Sequence, residues 1–407
     1  MYIKRHAEAS IKALSKMFGA VIVTGARQAG KTTLLQRTLD GIPFVSMDDA
    51  FALSAAKNNT AAFMKDQPAP VFIDEVQYAP QLFPYIKAEL DRTRKKGQYY
   101  LSGSQQFEMM KDVTESLAGR IGIQILPGLS LREILSDRTL EPFLPVERFF
   151  RQRKETRAKA SYDDIWHYIW RGSMPQLHAE PETDWSRYYG AYIRTYIERD
   201  VRALSQVGDE QSFLAFMTAC AARTGSLLNY SDLARDAGIS VPTAKRWCSI
   251  LVTSNLVFLL QPYHRNVLKR VIKAPKLYFM DTGLAAYLTR WNTPDTLKNG
   301  AMAGSLFETY VISEIIKGYL NYGILDPPVW FFRDTHQTEI DLLIEENGIL
   351  HPVEIKKYAS PKREDIRAFS ILDEIDGMKR GEGALICLYD RIASVSEMDK
   401  CIPPWYL

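Results

Sequence analysis

Residues 25–32 read Gly25-Ala-Arg-Gln-Ala-Gly-Lys-Thr32 and fit the pattern G-x-x-x-x-G-K-S/T at every fixed position. The flanks fit as well. Ala20-Val-Ile-Val23 is a short apolar run of the kind a buried parallel strand needs, and Thr33-Leu-Leu-Gln-Arg-Thr-Leu39 has helical spacing. Strand, glycine-rich turn and helix in that order build an anion cradle. Gly25 and Gly30 let the backbone bend so that N–H groups point inward, and the helix beginning near Lys31 adds its positive dipole end. Lys31 would reach the β- and γ-phosphates of a triphosphate, and the Thr32 hydroxyl would bind Mg²⁺. The expected contacts of ATP are therefore Gly25, Ala26, Arg27, Gln28, Ala29, Gly30, Lys31, Thr32 and Thr33.

About 40 residues on, Val71-Phe-Ile-Asp-Glu-Val76 is an apolar strand ending in two carboxylates. Open α/β sheets place their ligand chemistry at that end of a buried strand. Asp74 would hold Mg²⁺, directly or through water, and Glu75 would polarise the attacking water. Tyr99-Tyr-Leu-Ser-Gly-Ser-Gln105 is another strand ending in small polar residues, so Ser104 or Gln105 can contact the γ-phosphate or position water; a hairpin or cap turn has the same appearance. Glu115-Ser-Leu-Ala-Gly-Arg120 closes a helix before the next strand. Arg120 fits an arginine finger offered to a neighbouring copy's nucleotide, and equally a surface ion pair.

The strand candidates 20–23, 43–47, 71–73, 98–101 and 121–126 alternate with helical patterns, which is α/β patterning with a parallel sheet. A chain of 407 residues is too long for one ordinary core. Four regions are expected: 1–139 as a P-loop domain, 140–225 as linker and helical region, 226–300 as a winged-helix-like domain and 301–407 as an α/β nuclease-like domain. The stretch 140–160 is polar, basic and broken by Pro142 and Pro145, and reads as a linker or exposed arm. The aromatic stripe of residues 161–225 (Trp166, Trp170, Tyr188, Tyr189, Tyr192, Tyr196) is spaced like core.

Composition is that of a globular chain, 46% hydrophobic and 24% charged, and a net charge of +3 is too small to argue for a polyanion partner by itself. Cys220, Cys248, Cys387 and Cys401 form no C-x-x-C pair, so neither a zinc knuckle nor a disulfide framework is suggested and a reducing cytoplasm is expected. Met1-Tyr-Ile-Lys-Arg-His6 lacks the apolar segment of a signal peptide, and no run approaches the length of a membrane span.

The ordered set GARQAGKTT, FIDEVQ, LSGSQ and SLAGR resembles a prokaryotic group of AAA+-type ATPases with a C-terminal domain of poorly known function. Arg171-Gly-Ser-Met-Pro175 resembles the family's Gly-rich Pro turn, and Tyr196-Ile-Glu-Arg-Asp-Val201 its helix motif ending in Arg-Asp. The resemblance covers nearly the whole chain. It implies a sheet with the sensor strand between the two Walker strands, Ser104 beside Glu75, and a homo-oligomeric ring in which Arg120 acts in trans.

Between Leu227 and Met280 the chain reads helix, turn, helix and two strands. Tyr230–Gly238 is a short helix closed by glycine, Ser240 can cap the next, and Pro242 sits in its first turn. Lys245 and Arg246 on the second helix, with Arg265, Lys269, Arg270 and Lys273 between the strands, suit a helix in a major groove with a basic wing on phosphates. A protein-interaction module carries the same pattern.

The last third reads helix, three strands, helix, strand. Glu308 lies near the start of the first helix, Asp341 begins a strand, and Glu354 and Lys356 share one face of the next. Asp341 and Glu354 can share a divalent cation (Mg²⁺ or Mn²⁺) completed by Glu308, with Lys356 orienting water against a phosphodiester. This resembles the restriction-endonuclease-like PD-(D/E)xK superfamily, with Glu-Ile-Asp where Pro-Asp is usual. Cross-strand ion pairs in a fold kept for binding give the same pattern. The expected function is Mg²⁺-dependent ATP hydrolysis that rearranges the appended domains and acts on nucleic acid; the alternatives are an ATP-gated metal-dependent nuclease and a nucleotide-switched scaffold or binding protein with an inactive nuclease-like domain.

Overall fold

The computed structural model describes residues 2–103, 116–156, 160–196, 210–263, 274–334, 336–374 and 379–407. Ser104 and Gln105, the Arg199–Asp200 pair, and Arg265, Lys269, Arg270 and Lys273 lie outside the described residues.

The amino-terminal region is a five-stranded sheet of β1 (Ala20–Thr24), β2 (Phe44–Ser46), β3 (Val71–Asp74), β4 (Tyr99–Gly103) and β5 (Ile121–Ile125), in the order β2-β3-β4-β1-β5. All neighbours are parallel. β4 thus lies between β1 and β3, as the family resemblance implies. Both faces are covered, and the strands read as continuous apolar runs for that reason. Alternation still sorts the side chains. Val21, Val23, Phe72 and Tyr100 meet the helix Ala7–Met17 through Ala7 and Ile11, together with Leu34 and Leu35. Ala20, Ile22, Val71, Ile73, Tyr99 and Leu101 meet Phe83, Ile86 and Leu90 of the helix Leu82–Thr93 on the other side.

The expected linker is neither linker nor exposed arm. Residues 147–156 form a helix, and Phe143, Leu144, Phe149, Phe150 and Arg153 are buried. Arg153 pairs with Asp137 and donates to the carbonyls of Trp405 and Tyr406, which ties this stretch to the C-terminal residues. The aromatic stripe is core as expected: Tyr188, Tyr192 and Tyr196 recur every four residues along the helix Trp185–Tyr196, are buried, and stack at 6.4 Å between successive centroids.

Next come the helix Glu210–Ala222, β6 (Ser226–Leu227), the helices Tyr230–Ala237 and Val241–Thr253, β7 (Val257–Leu260) and β8 (Lys276–Phe279), the strands forming an antiparallel sheet in the order β6-β8-β7. Gly238, at φ +66°, closes the first of the two short helices, and Ser240 caps the second with Pro242 in its first turn.

The C-terminal region packs the helix Ala303–Tyr322 on a mixed sheet. Its strands are β9 (Val329–Arg333), β10 (Glu339–Glu346), β11 (Ile349–Lys356), β12 (Lys379–Arg380), β13 (Gly383–Cys387), β14 (Ala393–Ser394) and β15 (Asp399–Ile402). The order is β14-β15-β13-β11-β10-β9, with β12 beside β11. Where the periodicity predicts an α-helix over 363–376, residues Arg363–Glu374 form a 3₁₀ run. Its buried Ile366, Phe369 and Leu372 recur every third residue, the 3₁₀ period.

One apolar core continues from Leu131 through the helical middle to Leu407. The small antiparallel sheet also runs on into the C-terminal one: Tyr263 N–H donates to Phe331 O at 2.6 Å, and Phe331 N–H to Gln261 O at 3.0 Å. The phosphate-loop region is clamped to this body at the end of β5 and the segment after it. Leu131 N–H donates to Glu314 Oε2 at 2.6 Å, Lys317 Nζ to Leu129 O at 3.2 Å, and Gln124 Nε2 to Leu320 O at 2.7 Å.

Candidate nucleotide site

The carboxyl ends of β1, β3 and β4 bring the expected residues together. The chain leaves β1 at Gly25, whose φ is +145° and whose added Cβ would lie 2.1 Å from Leu126 O. Only glycine fits there. Gln28 (φ +58°) and Gly30 (φ +89°) complete the bend, and Gly30 caps the helix Lys31–Thr38. Successive N–H groups in such a bend, followed by a helix N-terminus, form an anion nest. Lys31 is buried within it and donates to Gly25 O at 3.0 Å and Ala26 O at 2.9 Å.

Thr32 Oγ1 donates to Asp74 Oδ2 at 2.8 Å, so hydroxyl and carboxylate already converge. They are the hard oxygen ligands that Mg²⁺ takes, and the residues fit such an ion. Ser102 Oγ, at the end of β4, donates to the other Asp74 oxygen. Ser104 and Gln105, expected at this strand end to contact the γ-phosphate or position water, lie outside the described residues; Ser102, two residues before Ser104 in the same run, joins Thr32 on Asp74. Glu75 follows in a left-handed conformation (φ +51°), and Gln77 Nε2 donates to its Oε2. Gln77 was in view in FIDEVQ but unassigned.

Arg120 is elsewhere. It precedes β5 at the amino end of the parallel strands, opposite the phosphate loop, and its Nε lies 2.5 Å from Asp91 Oδ1. Both side chains are exposed, and the Asp91 carboxyl is held below its usual range by the hydrogen bond and charge of Arg120. Within one chain Arg120 is a surface ion pair.

Sequence reading missed Arg5. Its buried guanidinium donates to Ala29 O (2.8 Å), Pro127 O (2.7 Å) and Gly128 O (3.2 Å), and its Nε to Glu133 Oε1 (3.0 Å). Burial alone would raise the Glu133 carboxyl; the charge of Arg5 and the N–H donors of Ser130 and His6 outweigh it and hold it low. The partners lie 24 to 128 residues away, so no local pattern signals them. On the outer side of Gly30, a cavity of about 310 Å³ is lined by Tyr2, Ile3, Thr33, Arg37, Pro175 and Gln176. Pro175 belongs to the turn Arg171–Pro175. Gly172 (φ +82°) allows the turn to press against Asp281, which accepts from Ser173 N–H at 3.2 Å and Tyr189 OH at 2.8 Å.

The C-terminal carboxylates also converge, but differently from the expectation. Among the described residues no group of three or more His, Cys, Asp or Glu side chains is arranged to hold a metal ion. Glu308 Oε1 takes Lys276 Nζ at 3.2 Å and Tyr278 OH at 2.6 Å; Asp341 Oδ2 takes Ile355 N–H at 2.9 Å; Glu354 Oε1 takes Lys356 Nζ. Protein donors thus occupy one oxygen of each acid. Burial, then the charges of Glu308 and Glu354, push the Asp341 carboxyl well above its ordinary range.

Comparison with known proteins matches three stretches of the chain. Residues 18–135 match a family described as an AAA domain; residues 162–295 and 303–407 match two families described as domains of unknown function, DUF8612 and DUF4143. Uncharacterized proteins of Mycobacterium tuberculosis and Mycobacterium bovis are each 26% identical over 360 residues, spanning 88% of this chain and 75% of theirs. Among solved structures, a Walker-type ATPase of Pyrococcus abyssi superposes with a TM-score of 0.44 at 13% identity, covering 70% of this chain and 96% of its own. A signal-transduction ATPase with a tetratricopeptide-repeat sensor from Pyrococcus horikoshii gives 0.29 at 10% identity, covering 80% and 48%. No helix among the described residues is long and apolar enough to cross a membrane. The loop geometry and the family match agree: the residues that match the AAA domain, 18–135, are those that carry the phosphate loop and the parallel sheet.

Proposed function

We propose that the chain binds ATP at the Gly25–Thr33 loop and hydrolyses it. The observation that carries this reading is the convergence of Thr32, Asp74 and Ser102 beside a buried Lys31. The loop N–H groups and Lys31 would hold the phosphates, and Thr32 and Asp74 would hold Mg²⁺, which supplies charge neutralisation when bound. Glu75 polarises water, with Gln77 fixing its carboxylate. The 310 Å³ cavity is of a size for a nucleoside and opens directly beside Gly30. Glu75→Gln is expected to keep ATP affinity by calorimetry and to slow phosphate release a hundredfold or more, on the order of a general base's contribution. Unaltered turnover in this variant overturns the assignment of Glu75.

The appended regions are the part that turnover works on, and we assign them nucleic acid as partner. The order helix, β6, two helices, β7, β8 supports a winged-helix reading, and Lys245 and Arg246 are exposed on its second short helix. Duplex DNA binding that weakens steeply with salt, and weakens further in Lys245→Ala/Arg246→Ala, is the expected outcome; binding to neither duplex nor single strands rejects it. A cleavage role gains nothing from carboxylates already engaged by protein donors. For Arg120 we propose action on a neighbouring copy's nucleotide in a ring. Mixing Arg120→Ala with Glu75→Gln chains should then recover ATPase activity that neither has alone.

A further inference from the structure

Four carboxylates and three cationic side chains meet where the small antiparallel sheet abuts the C-terminal sheet. Glu308 comes from the helix Ala303–Tyr322, Glu339 and Asp341 from β10, and Glu354 from β11. Lys276 arrives from the other sheet, on β8, and places its Nζ 3.2 Å from Glu308 Oε1 and 2.6 Å from Glu339 Oε1. Arg333 closes on the second oxygen of Glu339 at 3.6 Å, and Lys356 on Glu354. Lys276 is 4% exposed, so this ammonium has given up its water for the carboxylates. Burial alone would lower its pKa; the charges of Glu308, Asp341 and Glu339 outweigh that and raise it.

A divalent ion at this place would need free oxygens from Glu308, Asp341 and Glu354. One oxygen of each is already taken by an N–H, an O–H or an ammonium. Glu354 Oε2 is buried and without a hydrogen-bond partner, on a residue 7% exposed. Glu354 feels the charges of both Glu308 and Lys276. An acid oxygen in that state is compensated by a nearby cation or is strongly destabilising.

We propose that the ammonium of Lys276 is the resident cation of this cluster and excludes a divalent metal from it. A lysine from one sheet does the work that an ion bound from solution does between acidic strands, and the same contacts hold the two sheets together. This inference is independent of the ATPase reading, because no residue of the phosphate loop takes part in it.

The test is Mn²⁺ titration of the nucleotide-free full chain, followed by the paramagnetic resonance signal of free Mn²⁺. The wild-type chain and Asp341→Asn are expected to bind Mn²⁺ indistinguishably. Lys276→Met is expected to bind one additional Mn²⁺ per chain, at least tenfold more tightly than any wild-type site, and Lys276→Met/Asp341→Asn to lose it again. Lys276→Arg keeps the charge and is expected to gain nothing. Wild-type binding that Asp341→Asn removes overturns the proposal, and it does so without reliance on the lysine variants. A folded Lys276→Met chain, by circular dichroism, that gains no Mn²⁺ overturns it as well.

Discussion

Arg5 Nη1 donates to the carbonyl oxygen of Ala29 at 2.8 Å, inside the phosphate loop, while the same guanidinium faces the buried Glu133. One side chain near the start of the sequence thus fixes the loop's backbone and the segment after β5 together. Arg5→Ala removes the cation and leaves Glu133 buried without it, a change expected to cost about 3 kcal/mol or more of stability. It also releases Ala29, and ATP affinity is expected to fall roughly tenfold, about 1.4 kcal/mol. Adding Glu133→Gln separates the two effects. Urea unfolding should recover much of the lost stability in the double variant, whereas calorimetry should still show weakened ATP. Recovery of both would assign Arg5 to stability alone.

Gly25 and Gly304 make opposite predictions for one added methyl group. At Gly25 the Cβ meets Leu126 O at 2.1 Å with φ at +145°. Gly25→Ala is expected to displace the loop, abolish measurable ATP binding and cost on the order of 1–3 kcal/mol. At Gly304, in the first turn of the helix Ala303–Tyr322, nothing lies within 4 Å of the new atom. Gly304→Ala is expected to raise stability by about 0.4–1 kcal/mol through the unfolded chain's lost freedom and to leave ATP binding unchanged. Thermal unfolding with and without ATP reads both.

The amino-terminal region was legible because its signals are local. An eight-residue loop, an apolar strand ending in Asp74-Glu75 and runs such as Val71–Ile73 each declare themselves within a few positions. Asp74 and Thr32, 42 residues apart, could be paired because the motif fixes both ends. Lys276 gave no such signal: nothing near it marks it as the partner of Glu308 and Glu339, and only the packing of two sheets brings them together. The 140–160 stretch misled for a related reason. Its prolines and charges look solvated, yet Phe143, Phe149 and Phe150 pack inward and Arg153 finds Asp137 and two carbonyls more than 250 residues away. The acidic C-terminal residues were found, but which cation they hold is a property of tertiary structure.

His178 supplies a dependence of stability on pH. It lies just beyond the Gly172 turn, and its Nε2 donates to Gly172 O at 2.8 Å. Burial, the largest influence, pushes its pKa down to about 4 from 6.5; the hydrogen bond to Gly172 opposes this only in part. Between those values the folded chain keeps the ring neutral while the unfolded chain takes up a proton. The unfolded state then binds more protons, so stability must fall as pH falls. The contribution is complete above about pH 6.5 and is lost progressively down to about 4. From pH 6.5 to 5 the loss is roughly 2 kcal/mol. His6 and His167 are also lowered, first by burial, and add slope of the same sign. His178→Gln keeps an N–H for Gly172 O and removes the titration. Urea unfolding at pH 7.5, 6.5 and 5 should therefore show a difference between wild type and His178→Gln that narrows by about 2 kcal/mol across the lower interval. A constant difference would mean that His178 takes up its proton equally in the folded and unfolded chains, against the burial seen here.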